Sequence, residues 1–332
     1  MKNEQGMAFV DRDEDGVDRA FRKDVLAGLR QRQKAIPARW LYDDAGSQLF
    51  EDITEVAEYY PTRAETEILS SRDAEFAELI GAGRAVVEFG SGSSVKTPLL
   101  LSAIDPAAYV PLDISGDFLR ESATALGEKF PGLPIHPVEA DFMRATALPN
   151  AVEALPKLGF FPGSTIGNMV PRTGVDLLRS MRATLGADQG AVPLLLIGMD
   201  LVKDRTVLEA AYDDAKGVTA DFNRNLARRI NRELDGDIPL DALRHRAIWN
   251  DDFARVEMHL EAERDVAFTI SGERFAMQQG ETIHTENSHK FTRRSAATLL
   301  LAGGWTPVKR WTDAQKRFSL ILAEATETRE AP

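Results

Sequence analysis

An α/β fold, a doubly wound parallel sheet closed by an antiparallel C-terminal hairpin and joined to a smaller α+β domain, is predicted for this 332-residue chain from three observations. From Ala85 to Leu201 short apolar runs alternate with helical patterns, as they do where crossover helices cover both faces of a parallel sheet. The first run breaks into a glycine turn and two later runs end in aspartate, which is the chemistry of the ligand-binding ends of such strands. After Asp204 the pattern changes to long helices and then to alternation of period two, which marks a second domain.

The elements follow in order. In VVEFGSGSSVKTPLL, Val86 and Val87 suit a buried parallel strand and Glu88 stands near its end. Gly90 and Gly92 permit a tight bend, and Lys96 to Leu100 open an amphipathic helix. A dinucleotide fingerprint would need a third glycine near Val95, and none is there. YVPLDIS ends a second strand at Asp113 and HPVEADF a third before Asp141; GFFPG and PLLLIGMDLV supply the fourth and fifth. FLRESATALGEKF and VDLLRSMRATLG read as connecting helices. At the carboxyl end of strand two, Asp113 is placed to accept from both hydroxyls of a ribose, and Asp141 to reach an adenine amino group. Either aspartate alone is as readily a cap or turn residue; their order behind the glycine turn favours the cofactor role. The E-x-G-x-G form resembles the first motif of class I S-adenosylmethionine (SAM) methyltransferases, a Rossmann-like fold.

Beyond Asp204, LEAAYDDAKGVTADFNRNLARRINREL reads as helices, and RVEMHLEAE and DVAFTISGE as solvated antiparallel strands. TPVKRWTDAQKRFSLILAEA carries two apolar runs around a polar turn, the closing hairpin. The expected division is therefore a sheet domain of residues 66–202 and 291–326, a second domain of 21–65 and 203–290, and flexible ends at 1–20 and 327–332.

With 43% hydrophobic residues the chain has ample material for a core. Zero cysteine excludes disulfides and thiolate nucleophiles, and the five histidines form no metal-binding spacing, so no metal site is expected. A formal charge of −12 disfavours nucleic acid and anionic membranes, which need a cationic surface. MKNEQGMAFVDRDEDG has no uninterrupted apolar core and is neither signal peptide nor membrane span. A cytoplasmic enzyme of a small-molecule substrate is expected, with a monomer as the working expectation.

The stretch WLYDDAGSQLFEDITEVAEYYPTRAETEIL is rich in aromatics: Trp40, Tyr42, Phe50, Tyr59 and Tyr60. Trp40 is expected in the core. Pro61 biases Tyr60 towards an extended conformation, with both tyrosine hydroxyls turned to a pocket. Asn168, in GSTIGNM beyond the fourth strand, is either a turn former or an amide that accepts from an amine and donates to a carboxylate.

Taken together, YDDAGSQLFEDITEVAEYYPTRAE, VVEFGSGSSVKT, FFPGSTIGNMVP, IGMDLVKD, AYDDAKGVTADFNRN and ETIHTENSHKF resemble the SAM-dependent L-histidine Nα-methyltransferases of the ergothioneine pathway, from about Phe21 to Glu324. The resemblance implies three methyl transfers to the α-amine of L-histidine, giving the betaine hercynine, and a SAM domain beside a substrate domain. It also implies the substrate carboxylate on Asn168 and Tyr212, the imidazole between Tyr59 on one edge and Glu286 and Ser288 on the other, and Met258 lining the ring pocket. The amine would lie near the Gly163 carbonyl and, through water, Thr165. Tyr42 would sense growing methyl bulk, with Phe50 in the same aromatic segment. Glu88, Gly90, Gly92, Lys96, Asp113 and Asp141 fall to the cofactor, and S-adenosylhomocysteine would be the second product. Two rivals are a methyltransferase for tryptophan or another aromatic amino acid and a SAM-binding sensor without turnover. Retention of Glu286, Ser288 and Met258 speaks against the first, since an indole offers a single N–H. An intact Asn168 and Tyr212 speak against the second.

Overall fold

The computed structural model describes residues 16–92, 96–114, 116–186 and 192–326. Residues 1–15 and 327–332, both within segments expected to be flexible, and the turn residues 93–95 lie outside the described residues. In chain order the elements are α1 (Arg19–Leu29), β1 (Lys34–Ala35), α2 (Asp44–Thr54), α3 (Tyr60–Ser71), α4 (Asp73–Ile80), β2 (Ala85–Phe89), α5 (Thr97–Ile104), β3 (Ala108–Asp113), α6 (Gly116–Lys129), β4 (Val138–Glu139), β5 (Lys157–Phe161), α7 (Pro171–Thr184) and β6 (Leu194–Asp200). They continue with α8 (Arg205–Tyr212), α9 (Val218–Glu233), β7 (Leu243–Asn250), β8 (Arg255–Ala262), β9 (Val266–Ile270), β10 (Glu273–Met277), β11 (Thr282–His289), α10 (Arg293–Ala302), β12 (Trp305–Thr312) and β13 (Phe318–Ala325).

The first of two compact units takes Pro61–Val202 and the stretch from Phe291 onward. Its seven strands lie in the order β12-β13-β6-β5-β2-β3-β4. All neighbours are parallel except β13, which runs antiparallel to both β6 and β12. This is the class I SAM-dependent methyltransferase topology expected from the sequence. Every residue of β2 and β6 is buried, because helices cover both sheet faces and leave no wet side for polar alternation. The chain starts at β2, walks to the β4 edge, and returns to pair β5 on the other side of β2. That reversal opens a crevice at the carboxyl ends of β2 and β5.

The second unit takes the described residues up to Tyr60, and Lys203–Lys290. It holds a four-stranded sheet, β1-β11-β8-β7, and the separate hairpin β9-β10. Its core gathers Phe21, Trp40, Tyr59, Phe222, Leu226 and Met258. Helix α1 begins inside the segment 1–20 expected to be flexible, because the Asp18 carboxylate caps it by accepting from the N–H groups of Ala20 and Phe21. Trp40 is a core residue: its ring centroid lies 4.9 Å from that of Phe21, and its indole N–H donates to Asp24 at 3.0 Å. Tyr60 departs from expectation. It opens helix α3 instead of ending an extended turn, since Pro61 in the first helical turn gives up an N–H that would have no partner there. Its buried hydroxyl accepts from Lys203 at 2.5 Å.

Candidate active site

In the first unit, the glycine turn is built by Gly90 (φ 71°) and Gly92 (φ 46°), a left-handed backbone that glycine adopts without steric penalty. The Gly90 N–H donates to the Leu112 carbonyl at 2.8 Å, and a Cβ at Gly90 would stand 3.3 Å from the Phe142 ring. Among the described residues a Cβ at Gly92 would meet nothing within 4 Å, and its N–H donates to the Asp113 carboxylate at 3.1 Å. Asp113 closes β3, so its carboxylate stands beside the turn. Asp141 is exposed, and its Oδ1 accepts from the Met143 N–H at 3.0 Å. A glycine turn flanked by a strand-end carboxylate fits the nucleoside part of SAM.

Glu88 is wholly enclosed behind this turn. Its Oε2 accepts from the hydroxyls of Thr97 at 2.7 Å and Tyr109 at 2.5 Å, tying β2 to the start of α5 and to β3. Burial pushes its carboxyl up to about 7, against the opposing pull of those two hydrogen bonds.

Gly163 (φ 78°) follows β5, and its N–H donates to both carboxylate oxygens of Glu65, at 3.1 and 2.9 Å. The Lys96 ammonium pairs with the same carboxylate. Thr165 donates its hydroxyl to the Pro162 carbonyl at 3.1 Å, and half-buried Asn168 ends the single turn Thr165–Asn168. Sequence reasoning missed Glu65. Its signal was an acid beside Ala64 and one turn before Ile68, both buried positions of α3.

In the second unit, the residues scattered over Tyr42 to Ser288 converge through a β-bulge. Ile283 pairs with Leu260 and His284 with His259, but Glu286 pairs with Met258, so Thr285 is an extra residue on β11. Its hydroxyl donates to the Met258 carbonyl at 3.0 Å. A side-chain direction that alternates strictly is thereby reset, and Glu286 and Ser288 join Met258 and Val256 on the buried face.

Across that face runs a chain of rings: Tyr42 to Phe50 at 5.6 Å between centroids, Phe50 to Tyr59 at 6.3 Å, and Tyr59 to Tyr212 at 6.1 Å. One end meets Glu286, whose Oε1 accepts from the Tyr42 hydroxyl at 3.2 Å. Burial pushes the Glu286 carboxyl up to about 7, while the Tyr42 hydrogen bond and the Lys290 charge pull it down. The other end meets Ser288, 2.7 Å from the Tyr212 hydroxyl. Tyr212 is fixed from behind: the neutral His245 ring donates from Nε2 to its backbone carbonyl at 2.7 Å, with burial holding that imidazole below its ordinary value.

Lys290 is the residue of this face that sequence reasoning passed over. Its ammonium donates to Tyr212 Oη and Ser288 Oγ, both at 2.8 Å, and lies 4.5 Å from the Tyr212 ring centroid. The signal was present as E-x-S-x-K, in which the two-residue period of Glu286 and Ser288 continues one step past the strand.

His284 and His289 belong to the opposite face. His284 stacks on His259 at 4.7 Å, and His289 Nδ1 donates to the Phe253 carbonyl at 3.1 Å. Although the sequence has no metal-type histidine spacing, Glu257, His259 and His284 bring side-chain donor atoms within 4.8 Å of one another. Each already has protein partners: Arg255 and Asn250 on Glu257, Thr282 on His259, and the Glu286 carbonyl on His284.

The sequence profile of the family described as histidine-specific, SAM-dependent methyltransferases matches residues 21–325. The chain is 40% identical over 316 residues to a histidine N-alpha-methyltransferase of Mycolicibacterium smegmatis, covering 93% of this chain and 96% of the relative. It is 39% identical over 317 residues to the Mycobacterium tuberculosis protein of the same description, with the same coverages of 93% and 96%. It is 29% identical over 306 residues to ergothioneine biosynthesis protein 1 of Neurospora crassa, spanning 88% of this chain and 33% of that longer one. Among the described residues no helix is long and apolar enough to cross a membrane. A profile match that runs through both units, over a sheet of methyltransferase order, makes this chain a member of the SAM-dependent histidine-specific methyltransferase family.

Proposed function

We propose that the protein trimethylates the α-amino group of L-histidine to hercynine, as a cytoplasmic step of ergothioneine biosynthesis. The observation that carries this reading is the bulge at Thr285, which sets a carboxylate, Glu286, and a hydroxyl, Ser288, on one buried aromatic face. Such a pair can address both imidazole nitrogens, and a site built to hydrogen-bond a group discriminates strongly against analogues that lack it. Tyr59 bounds the ring on its other edge, and Met258 and Phe50 give the apolar lining. Tyr212 and Asn168 are assigned to the carboxylate, and the Gly163 carbonyl and Thr165, through water, to the amine.

SAM, when bound, supplies a sulfonium methyl group already activated towards nucleophiles. Asp113 would hold the ribose hydroxyls and Asp141 the adenine amino group, around the turn of Gly90 and Gly92. Glu88 acts on the shape of that turn, and Lys96, fixed by Glu65, on the end nearer Gly163. The chain's residues need supply no nucleophile. They hold a neutral amine in line with the breaking C–S bond and exclude water, and such positioning is worth about 7 to 11 kcal/mol. The substrate's ammonium group loses a proton to solvent before each attack, which burial beside a cation favours. Transfer ends at three methyl groups because the quaternary nitrogen has no lone pair.

Mass spectrometry of products from SAM with L-histidine, and in parallel with L-tryptophan, tests the reading. Trimethylated histidine with tryptophan unchanged is expected. Methylated tryptophan in its place would overturn the ring-pocket assignment, and no methylation of either would favour a SAM sensor.

A further inference from the structure

Glu257, His259 and His284 lie on the side of their sheet away from Glu286 and Ser288. Sheet geometry assembles the group from two neighbouring strands. Glu257 and His259 are two residues apart on β8 and share a face, and His284 of β11 stands directly opposite His259 in the register. Because the histidines come from different strands, no metal-type spacing is legible along the chain.

Each of the three holds its protein partners on one atom and keeps another for the group. Glu257 takes Arg255 and Asn250 on Oε1, which leaves Oε2. His259 meets the Thr282 hydroxyl through Nδ1, which leaves Nε2. His284 donates from Nε2 to the Glu286 carbonyl, so the lone pair of the neutral ring is on Nδ1. A ring nitrogen tied to a protein oxygen is how metal-ligating histidines are oriented. Glu257 Oε2 and His259 Nε2 face each other at 3.1 Å, a contact that one ring proton closes. A cation can take that place, with the ring proton then on Nδ1 against the Thr282 oxygen. Burial holds both imidazoles below their ordinary value, so each is neutral and has a lone pair to give.

One donor atom from each residue lies within 4.8 Å of the others, and a modest turn of the two stacked rings about a broad torsion converges them. Asn287, opposite Glu257 in the register, brings its amide beside the His284 ring, and its Oδ1 is buried with no hydrogen bond of ordinary geometry among the described residues. Two arginines border the group, and each is paired, Arg255 with Glu257 and Arg246 with Glu261. Two imidazole nitrogens and a carboxylate suit zinc and its neighbours, whereas magnesium and calcium demand oxygen ligands throughout.

We propose that Glu257, His259 and His284 form a binding site for one divalent transition-metal ion of the zinc class, which pins β8 to β11 behind the Thr285 bulge. Because His284 also holds the Glu286 carbonyl, the ion braces the bulge from the side opposite the proposed substrate face. The site is one of stability, and the inference is independent of the substrate proposed above.

Calorimetric titration of Zn²⁺ into the full chain, stripped with chelator and carrying no affinity tag, tests it. One equivalent is expected to bind and to raise the thermal denaturation midpoint. His259→Ala and His284→Ala should each weaken binding at least about tenfold, and His136→Ala, in the other unit, should not. Absence of binding, or binding that the first two variants leave intact, would overturn the proposal. Equal binding of Mg²⁺ would do the same, since it would mark a bare carboxylate. Should those variants fail to fold, X-ray absorption at the zinc edge of the wild-type complex decides. Two imidazole nitrogens at about 2.0 to 2.1 Å are expected, and a shell with fewer would overturn the site.

Discussion

Each unit buries one glutamate on a sheet strand, and burial pushes the carboxyls of Glu88 and Glu286 up to about 7 alike. Their surroundings differ. Glu88 receives short hydrogen bonds from Thr97 and Tyr109 on a single oxygen, and those donors belong to the elements that frame the glycine turn. Glu286 takes a longer one, 3.2 Å, from Tyr42, a residue of the other chain segment of its unit, and faces the aromatic wall. A raised carboxyl therefore does not by itself mark a substrate site. What separates the two is whether the donors belong to the scaffold behind the acid or to the face in front of it.

The same contrast between scaffold and proposed substrate face orders the mutations. The largest effect is expected at the Lys96–Glu65 pair, where Glu65 is completely buried. Lys96→Met leaves that carboxylate without its cation and should destabilise the protein by about 3 to 5 kcal/mol in chemical denaturation. If Glu65→Gln added to it recovers nothing, the pair is not the cause.

Next is Glu88. Its carboxyl, raised from 4.5 to about 7, binds its proton more tightly in the folded state than in the unfolded one. Its contribution is thus fully present below about 4.5 and is lost as pH rises through about 7, a change of roughly 3 kcal/mol. Glu88→Gln should flatten the pH dependence of urea unfolding over that window while leaving histidine affinity unchanged. A matching loss of histidine affinity would break the contrast drawn above.

At the face proposed for the substrate the changes are expected in binding. Glu286→Ala should lose about 1.5 to 3 kcal/mol of histidine affinity by calorimetry, and an unchanged affinity would remove Glu286 from the site. Tyr42→Phe deletes a single hydroxyl bonded to Glu286, with an expected loss of about 0.5 to 1.5 kcal/mol. Single-turnover rates for histidine and its mono- and dimethyl forms would sharpen this: equal slowing at all three steps would end the idea that Tyr42 senses methyl bulk.

The sheet unit was legible because burial on both sheet faces writes itself as apolar runs such as Leu194–Ile197, and because the aspartate of YVPLD does close a strand, at Asp113. The face proposed for the substrate was legible only through resemblance. Alternation along β11 would send Ile283 and Glu286, three residues apart, to opposite faces, and only the extra residue Thr285 reconciles them. Pro61 was read as holding Tyr60 extended when it lies in the first turn of a helix, since a proline serves either purpose until the chain on its far side is known. Glu65 and Lys290 escaped notice because a charge beside apolar residues normally signals a solvated edge, and their partners lie far away or in a different element.

The pairing of Lys34 with Ile283 in parallel register joins an edge strand of the small sheet to a neighbour that lies far along the chain, apart from it in time as well as in sequence. At ribosomal rates of about 5 to 20 residues per second, the strand at Lys34–Ala35 waits roughly 10 to 50 s for its partner. During that interval Phe21, Leu29 and Trp40 have no finished core to enter. The early segment is thus a nascent-chain liability, and a chaperone that shields it until residue 290 emerges would raise the yield of folded enzyme more than one acting on the C-terminal hairpin.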